Sequence, residues 1–228
     1  MRIIGVLAIL ALAGCVEVSS PTPAPQSTAT NVSGFNENTL KRVASDVMPV
    51  AINACNAQTR NLNCNFIIGF DENPKNPPNA FQTVAKDGRP LLVFNIALLQ
   101  DLRNTDELAF IMGHEAAHHI KGHLEDTNRN ATAGALLGSV LASVLGADAA
   151  MAETATRAGA MVGGRAYSKE FELEADSLGA VITERAGYNA VRGAAYFTRI
   201  PDPGNTFLGS HPPNAQRVET IRQSVAAM

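Results

Sequence analysis

Hydrophobic positions change period several times along the chain, and each change predicts an element. Ile3 to Ala13 is an unbroken run of small and apolar residues behind Met1-Arg2. It is too short to span a bilayer as a stable helix and reads as the core of a signal peptide. Ser19 to Gly34 carries proline, serine and threonine and no charge. Such a segment cannot bury enough surface to offset its ordering entropy, so it predicts a flexible tether. Extended as polyproline it would reach about 50 Å. Leu40 to Ala57 has apolar residues at helical spacing, interrupted at Pro49. Asn63 to Phe70 is a short apolar run with β-branched content and predicts a strand; Asp71 to Asn79 is a loop rich in proline and asparagine. Ala80 to Lys86 and Pro90 to Asn95 flank Asp87-Gly88, the dipeptide of a tight hairpin turn. Three short strands are therefore expected ahead of the next helix.

That helix is expected to start at a Thr105 cap, with Glu107 in the first turn where the dipole favours a carboxylate, and to end at Gly122. Leu108, Ile111 and Met112 supply its apolar face. Within it lies His114-Glu115-Ala116-Ala117-His118, an HExxH. Imidazoles four residues apart stand one turn above each other and can reach a single metal ion. Glu115 points about a quarter-turn away, where a carboxylate can act as general base on a water. Nitrogen ligands at this spacing suit zinc. His119 is rotated away from His118, and His123 falls nearly opposite His114 on an ideal helix. Both are expected to be structural.

Further along, 131–147 is a stretch without charge, just short of a membrane span. Leu136, Leu137, Val140, Leu141, Val144 and Leu145 form one stripe; Gly134, Gly138, Ala142 and Gly146 form another. Two faces of different character predict a helix packed closely against protein. A helix that dips into a membrane or joins two copies is the alternative. Acids then recur at 170, 172, 174 and 176. Glu172 and Asp176 share one helical face at i, i+4 and Glu174 lies off it, so spacing singles out the 172/176 pair. A solvated acidic face is the plainer alternative.

Composition adds exclusions. Formal net charge is −3, which gives no field for drawing in nucleic acid. Three cysteines are too few for a disulfide scaffold. Leu12-Ala13-Gly14-Cys15 resembles the lipobox of bacterial lipoproteins, which implies cleavage after residue 14 and a lipid on Cys15. Val16 rather than aspartate follows, which by the enterobacterial sorting rule favours the outer membrane. With Cys15 lipidated, Cys55 and Cys64 remain, and in an oxidising envelope compartment they are expected to form a disulfide.

Together the HExxH, the pattern Ser168-Lys169…Glu172…Ala175-Asp176 and the late His211-Pro212 resemble the HtpX/BepA/LoiP group of zinc metallopeptidases, with its CAAX prenyl protease and Oma-type relatives. The likeness runs from about Phe35 to the C-terminus. It implies an α+β, mainly helical, gluzincin-like fold: an HExxH helix, a small β-sheet and a second helix bearing a ligand. It also implies one zinc on His114, His118 and Glu172, with Asp176 orienting a ligand histidine from behind. Near the metal, His211 would either occupy the open fourth position or stabilise an oxyanion. The resulting organisation is a signal peptide over 1–14, a lipidated N-terminus and tether over 15–34, and a metallopeptidase domain over 35–228. The expected function is a zinc endopeptidase of the bacterial envelope that degrades misfolded or misassembled envelope proteins. Its substrates would add as a strand along an edge near Pro90 to Asn95. The alternative is a zinc-binding, chaperone-like or assembly-factor lipoprotein with little proteolysis.

Overall fold

The computed structural model describes residues 34–166, 168–204 and 211–228. The expected signal peptide, Cys15 and the tether up to residue 33 lie outside the described residues, as do Tyr167 and residues 205–210. The described part is mainly helical with one small sheet, as the resemblance implied.

Asn36 opens α1 (Glu37–Gln58), its side chain accepting from the backbone N–H groups of Asn38 and Thr39. Leu40, Val43, Val47, Ala51 and Cys55 form the buried stripe of this helix. The interruption expected at Pro49 does not occur. Pro49 sits inside the helix on its exposed face, where water can satisfy the carbonyl whose helical bond the proline removes. A disulfide joins Cys55 to Cys64, with Cα atoms 5.8 Å apart, and ties the end of α1 to the segment entering the sheet.

The sheet holds β1 (Ile67–Asp71), β2 (Ala80–Val84) and β3 (Pro90–Asn95) in the order β1-β3-β2. β1 begins at Ile67 and not at Asn63, because the Asn63 side chain accepts from Asn65 N and donates to Gly88 O. Those bonds hold a local turn in place of a ladder. β3 runs parallel to β1 and antiparallel to β2, so it is paired on both sides. The open edge expected near Pro90 to Asn95 is therefore a central strand, and among the described residues the edge beside the helices belongs to β2. Gly88 has φ +80° in the Asp87-Gly88 turn that sets this hairpin. Asn95 then caps the short α2 (Ile96–Asp101) by accepting from Leu98 N at 2.8 Å. The hydrophobic pattern alone did not separate that helix from the strand before it.

α3 (Thr105–Lys121) runs through the core with almost every residue buried. Its cap is Asn104 rather than Thr105: Asn104 Oδ1 accepts from Glu107 N at 3.0 Å, and Glu107 reaches back to accept from Arg103 N at 2.8 Å. Asparagine outranks threonine as a cap. Gly122 ends α3 in the left-handed region at φ +73°, and the chain leaves in a new direction as α4 (His123–Val144). α4 forms a hairpin with α5 (Ala149–Arg165). The small-residue stripe is the packed one: a Cβ on Gly134 would come within 2.1 Å of Gly159 O, and one on Gly138 within 2.2 Å of Ala155 O. The leucine stripe faces away, with Leu137, Val144 and Leu145 71, 78 and 74% exposed. The close packing against protein expected of 131–147 is thus made by Gly134, Gly138 and the buried Ala142, while Gly146 lies in open space. Among the described residues no helix is long and apolar enough to cross a membrane.

α6 (Ser168–Arg185) crosses α3 at a pair of glycines. A Cβ on Gly113 would meet Gly179 O at 2.8 Å, and a Cβ on Gly179 would meet His114 N at 2.8 Å. This contact sets how close the acidic turn of α6 comes to the histidine turn of α3. The short α7 (Ala190–Gly193), a 3-10 turn (Ala194–Thr198) and α8 (Asn214–Ala226) close the fold against α3 and α6. Gly179→Ala should therefore force the helices apart. Overpacking of this kind costs about 1–3 kcal/mol. Thermal unfolding followed by circular dichroism should show a midpoint several degrees lower; an unchanged midpoint would mean that the crossing yields freely.

Candidate metal centre

A cleft of about 860 Å³ opens beside α3, with His114, Glu115, His118 and Glu172 in its wall. One turn of α3 separates the two histidines, and their Nε2 atoms face each other at 3.0 Å. Glu172, from α6, completes the group: Oε1 is 3.3 Å from His118 Nε2 and Oε2 is 3.6 Å from His114 Nε2. One donor atom from each of His114, His118 and Glu172 lies within 4.8 Å of the others. Glu115 is buried in the same wall, beside this group and not in it.

Each imidazole is held from behind. His114 Nδ1 is 3.0 Å from Asp176 Oδ1. Asp176 is fully buried and accepts a two-pronged bond from Arg217 of α8, Nε to Oδ2 at 2.8 Å and Nη2 to Oδ1 at 2.7 Å. The same guanidinium stacks over the Phe197 ring at 3.9 Å and lies 3.2 Å from Glu172 Oε2. On the other side, His118 Nδ1 is 2.9 Å from His123 Nδ1. His119 points elsewhere: its Nε2 meets Asn63 O at 2.8 Å and its ring packs edge-on against Phe66, the structural role expected of it.

Two of these groups were not found from the sequence. His123 was placed opposite His114 by continuing an ideal helix, but the left-handed Gly122 breaks that helix and swings His123 beside His118. The glycine was itself legible as a helix end, which is the signal that phase could not be carried past it. Arg217 sits 41 residues beyond Asp176 on another helix; its only signal was that a buried aspartate needs a cation.

The electrostatics follow from burial and these contacts. Burial alone would raise the Glu172 acid. Its contacts with His118, then His211, and the charges of His114 and Arg217 outweigh that and hold the carboxyl well below its usual range. Burial works the same way on Asp176, and the Arg217 bond, followed by His114, turns its shift downward. Burial, reinforced by His118, brings His123 down to about 4.

The donor set fits a divalent cation. Asp176 and His123 stand behind the two Nδ1 atoms, so with the ring protons on that side both Nε2 atoms could offer lone pairs to one cation beside the Glu172 carboxylate. Glu172 Oε2 is buried and accepts no hydrogen bond, although His211 Nδ1 at 3.0 Å and Arg217 Nη2 at 3.2 Å are within ion-pairing distance. Crowded acceptors of this kind are what a cation relieves.

Removing one partner of the buried Asp176–Arg217 pair leaves a bare charge, which costs about 3–5 kcal/mol. Arg217→Leu should lower the thermal midpoint accordingly. Because the folded Asp176 carboxyl is depressed, the pair stabilises above the unfolded aspartate value of about 3.9 and is lost as pH falls through the lower folded value. The gap between wild type and variant should therefore narrow below about pH 4. A gap that stays constant down to acid pH would show that the pair contributes nothing through charge.

No curated protein matches the chain. The model of peptidase family M48 matches residues 36–225, a span that holds the HExxH, Glu172, Asp176, His211 and Arg217. With His114, His118 and Glu172 converging on one point inside that span, the chain belongs to peptidase family M48, a family of metallopeptidases.

Proposed function

We propose that this metallopeptidase is a zinc-dependent endopeptidase of the bacterial cell envelope, tethered to the inner leaflet of the outer membrane by a lipid on Cys15. Its substrates would be misfolded or misassembled envelope proteins. The observation that carries the chemistry is the convergence of His114, His118 and Glu172 donors within 4.8 Å, with Glu115 beside them in an open cleft. Two imidazoles and a carboxylate are a common ligand set of catalytic zinc.

A zinc ion held there would supply the charge that polarises a peptide carbonyl and acidifies a water. Glu115, buried in the same cleft wall, would serve as the base that accepts a proton from the attacking water and as the acid that delivers it to the leaving nitrogen. Asp176, fixed by Arg217, holds the His114 ring so that Nε2 keeps its direction. The substrate backbone is proposed to lie along β2, whose Ala80, Phe81 and Gln82 line the cleft. Main-chain bonding along a strand edge would leave side-chain selectivity to pockets. Aromatic walls from Phe110, Phe171 and Phe197 favour an apolar side chain in one of them.

His211 reaches the site from the loop before α8, with half its side chain exposed and Nδ1 3.0 Å from Glu172 Oε2. A histidine leaning on a ligand carboxylate supports the reading that it plugs the resting site. His211→Ala should then raise cleavage of a quenched peptide. A fall of about 10²-fold with metal retained would assign it to the oxyanion instead.

The purified protein should carry one zinc by atomic absorption, lost in His114→Ala, His118→Ala and Glu172→Ala. Glu115→Gln should keep the zinc and lose cleavage by about 10²–10⁴-fold; cleavage surviving in that variant would remove Glu115 from the mechanism. Envelope proteins trapped by Glu115→Gln and identified by mass spectrometry should be misassembled clients, and Cys15→Ser should abolish palmitate labelling. Labelling that persists would end the lipid-anchor reading.

A further inference from the structure

We infer that His123, with Glu174 behind it, is a positioning residue for the metal site: it fixes the tautomer and ring plane of His118. The inference rests on the reading of His114, His118 and Glu172 as the zinc ligands.

With His118 Nε2 taken as a metal ligand, the contacts leave one assignment of protons. His118 turns Nε2 towards His114 Nε2 and Glu172 Oε1, so that nitrogen must carry a lone pair to act as a ligand. The ring proton then sits on Nδ1, which lies 2.9 Å from His123 Nδ1. His123 Nδ1 is therefore the acceptor, and the remaining His123 proton sits on Nε2, 3.3 Å from Glu174 Oε2. Each donor meets an acceptor along this line: His118 Nδ1–H to His123, and His123 Nε2–H to Glu174. A ligand histidine whose second nitrogen is bonded in this way is locked in orientation and made a stronger base.

Packing holds His123 where the bond needs it. Its ring is 4% exposed and stacks on Phe171 of α6, centroids 4.5 Å apart and planes 13° apart. Gly122 supplies the left-handed turn that aims it. His114 has Asp176 and Arg217 for the same task, so both imidazoles are supported by groups drawn from other helices.

The test separates hydrogen bonding from bulk. His123→Phe keeps a ring against Phe171 and removes the acceptor. His123→Asn can place its amide oxygen near the lost Nδ1. Zinc affinity of the apoprotein, read by competition with a chromogenic chelator, should weaken about 10–100-fold in His123→Phe and largely recover in His123→Asn. The same pattern should appear in a Glu115→Gln background, where cleavage plays no part. Equal affinity in wild type and His123→Phe, or equal weakening in both variants, would overturn the inference. If His123→Phe does not fold, nitrogen NMR of the zinc-loaded wild type decides: the His123 proton should be on Nε2 with Nδ1 accepting from His118, and a proton on His123 Nδ1 would refute the assignment. A wild type that binds no zinc would instead defeat the proposed ligand set itself.

Discussion

Backbone contact between α3 and α6 governs the distance from His114 and His118 to Glu172. At their crossing, Gly113 and Gly179 bring the helices so close that a Cβ on either would meet main-chain atoms at 2.8 Å. Glu172 lies two turns before Gly179 on α6, and His114 follows Gly113 directly on α3. The crossing thus converts two separate sequence motifs into one three-sided group of donors.

Around that crossing, the interior contains more charge than a core ordinarily tolerates. Glu172, Asp176 and Arg217 are all buried, and desolvation opposes each of them. Mutual bonding makes the arrangement stable: Arg217 neutralises Asp176, Asp176 orients His114, and the imidazoles face Glu172. The start of α3 is fastened in the same way, Arg199 bonding to the buried Glu107 at 2.6 Å and Arg192 bonding to the buried Asp106. These pairs hold the histidine helix at its N-terminal end, and Gly122 releases the chain at the other.

Much of the centre was legible because it is written in local spacing. HExxH places two ligands on one turn, and i, i+4 spacing paired Glu172 with Asp176, although choosing Glu172 as the ligand needed the family likeness. The Asp87-Gly88 turn and the Gly122 terminus were legible for similar reasons, since each needs a backbone conformation few residues adopt. What was missed is long-range or depends on a break in phase. His123 was misplaced by extrapolating a helix through a left-handed glycine. Arg217 pairs across helices. Pro49 was overread as a break, because its exposure, which lets water replace the lost bond, is a tertiary fact. β3 was mistaken for an edge because hairpin spacing says nothing of β1 adding in parallel on its far side.

The central claim is that one zinc ion sits between His114, His118 and Glu172. The most direct measurement is an anomalous difference map from crystals of the active protein, collected on both sides of the zinc absorption edge. The account predicts a single peak about 2.0–2.2 Å from the two Nε2 atoms and a Glu172 oxygen. A peak held by other residues, or no peak in crystals that still cleave peptide, would contradict it.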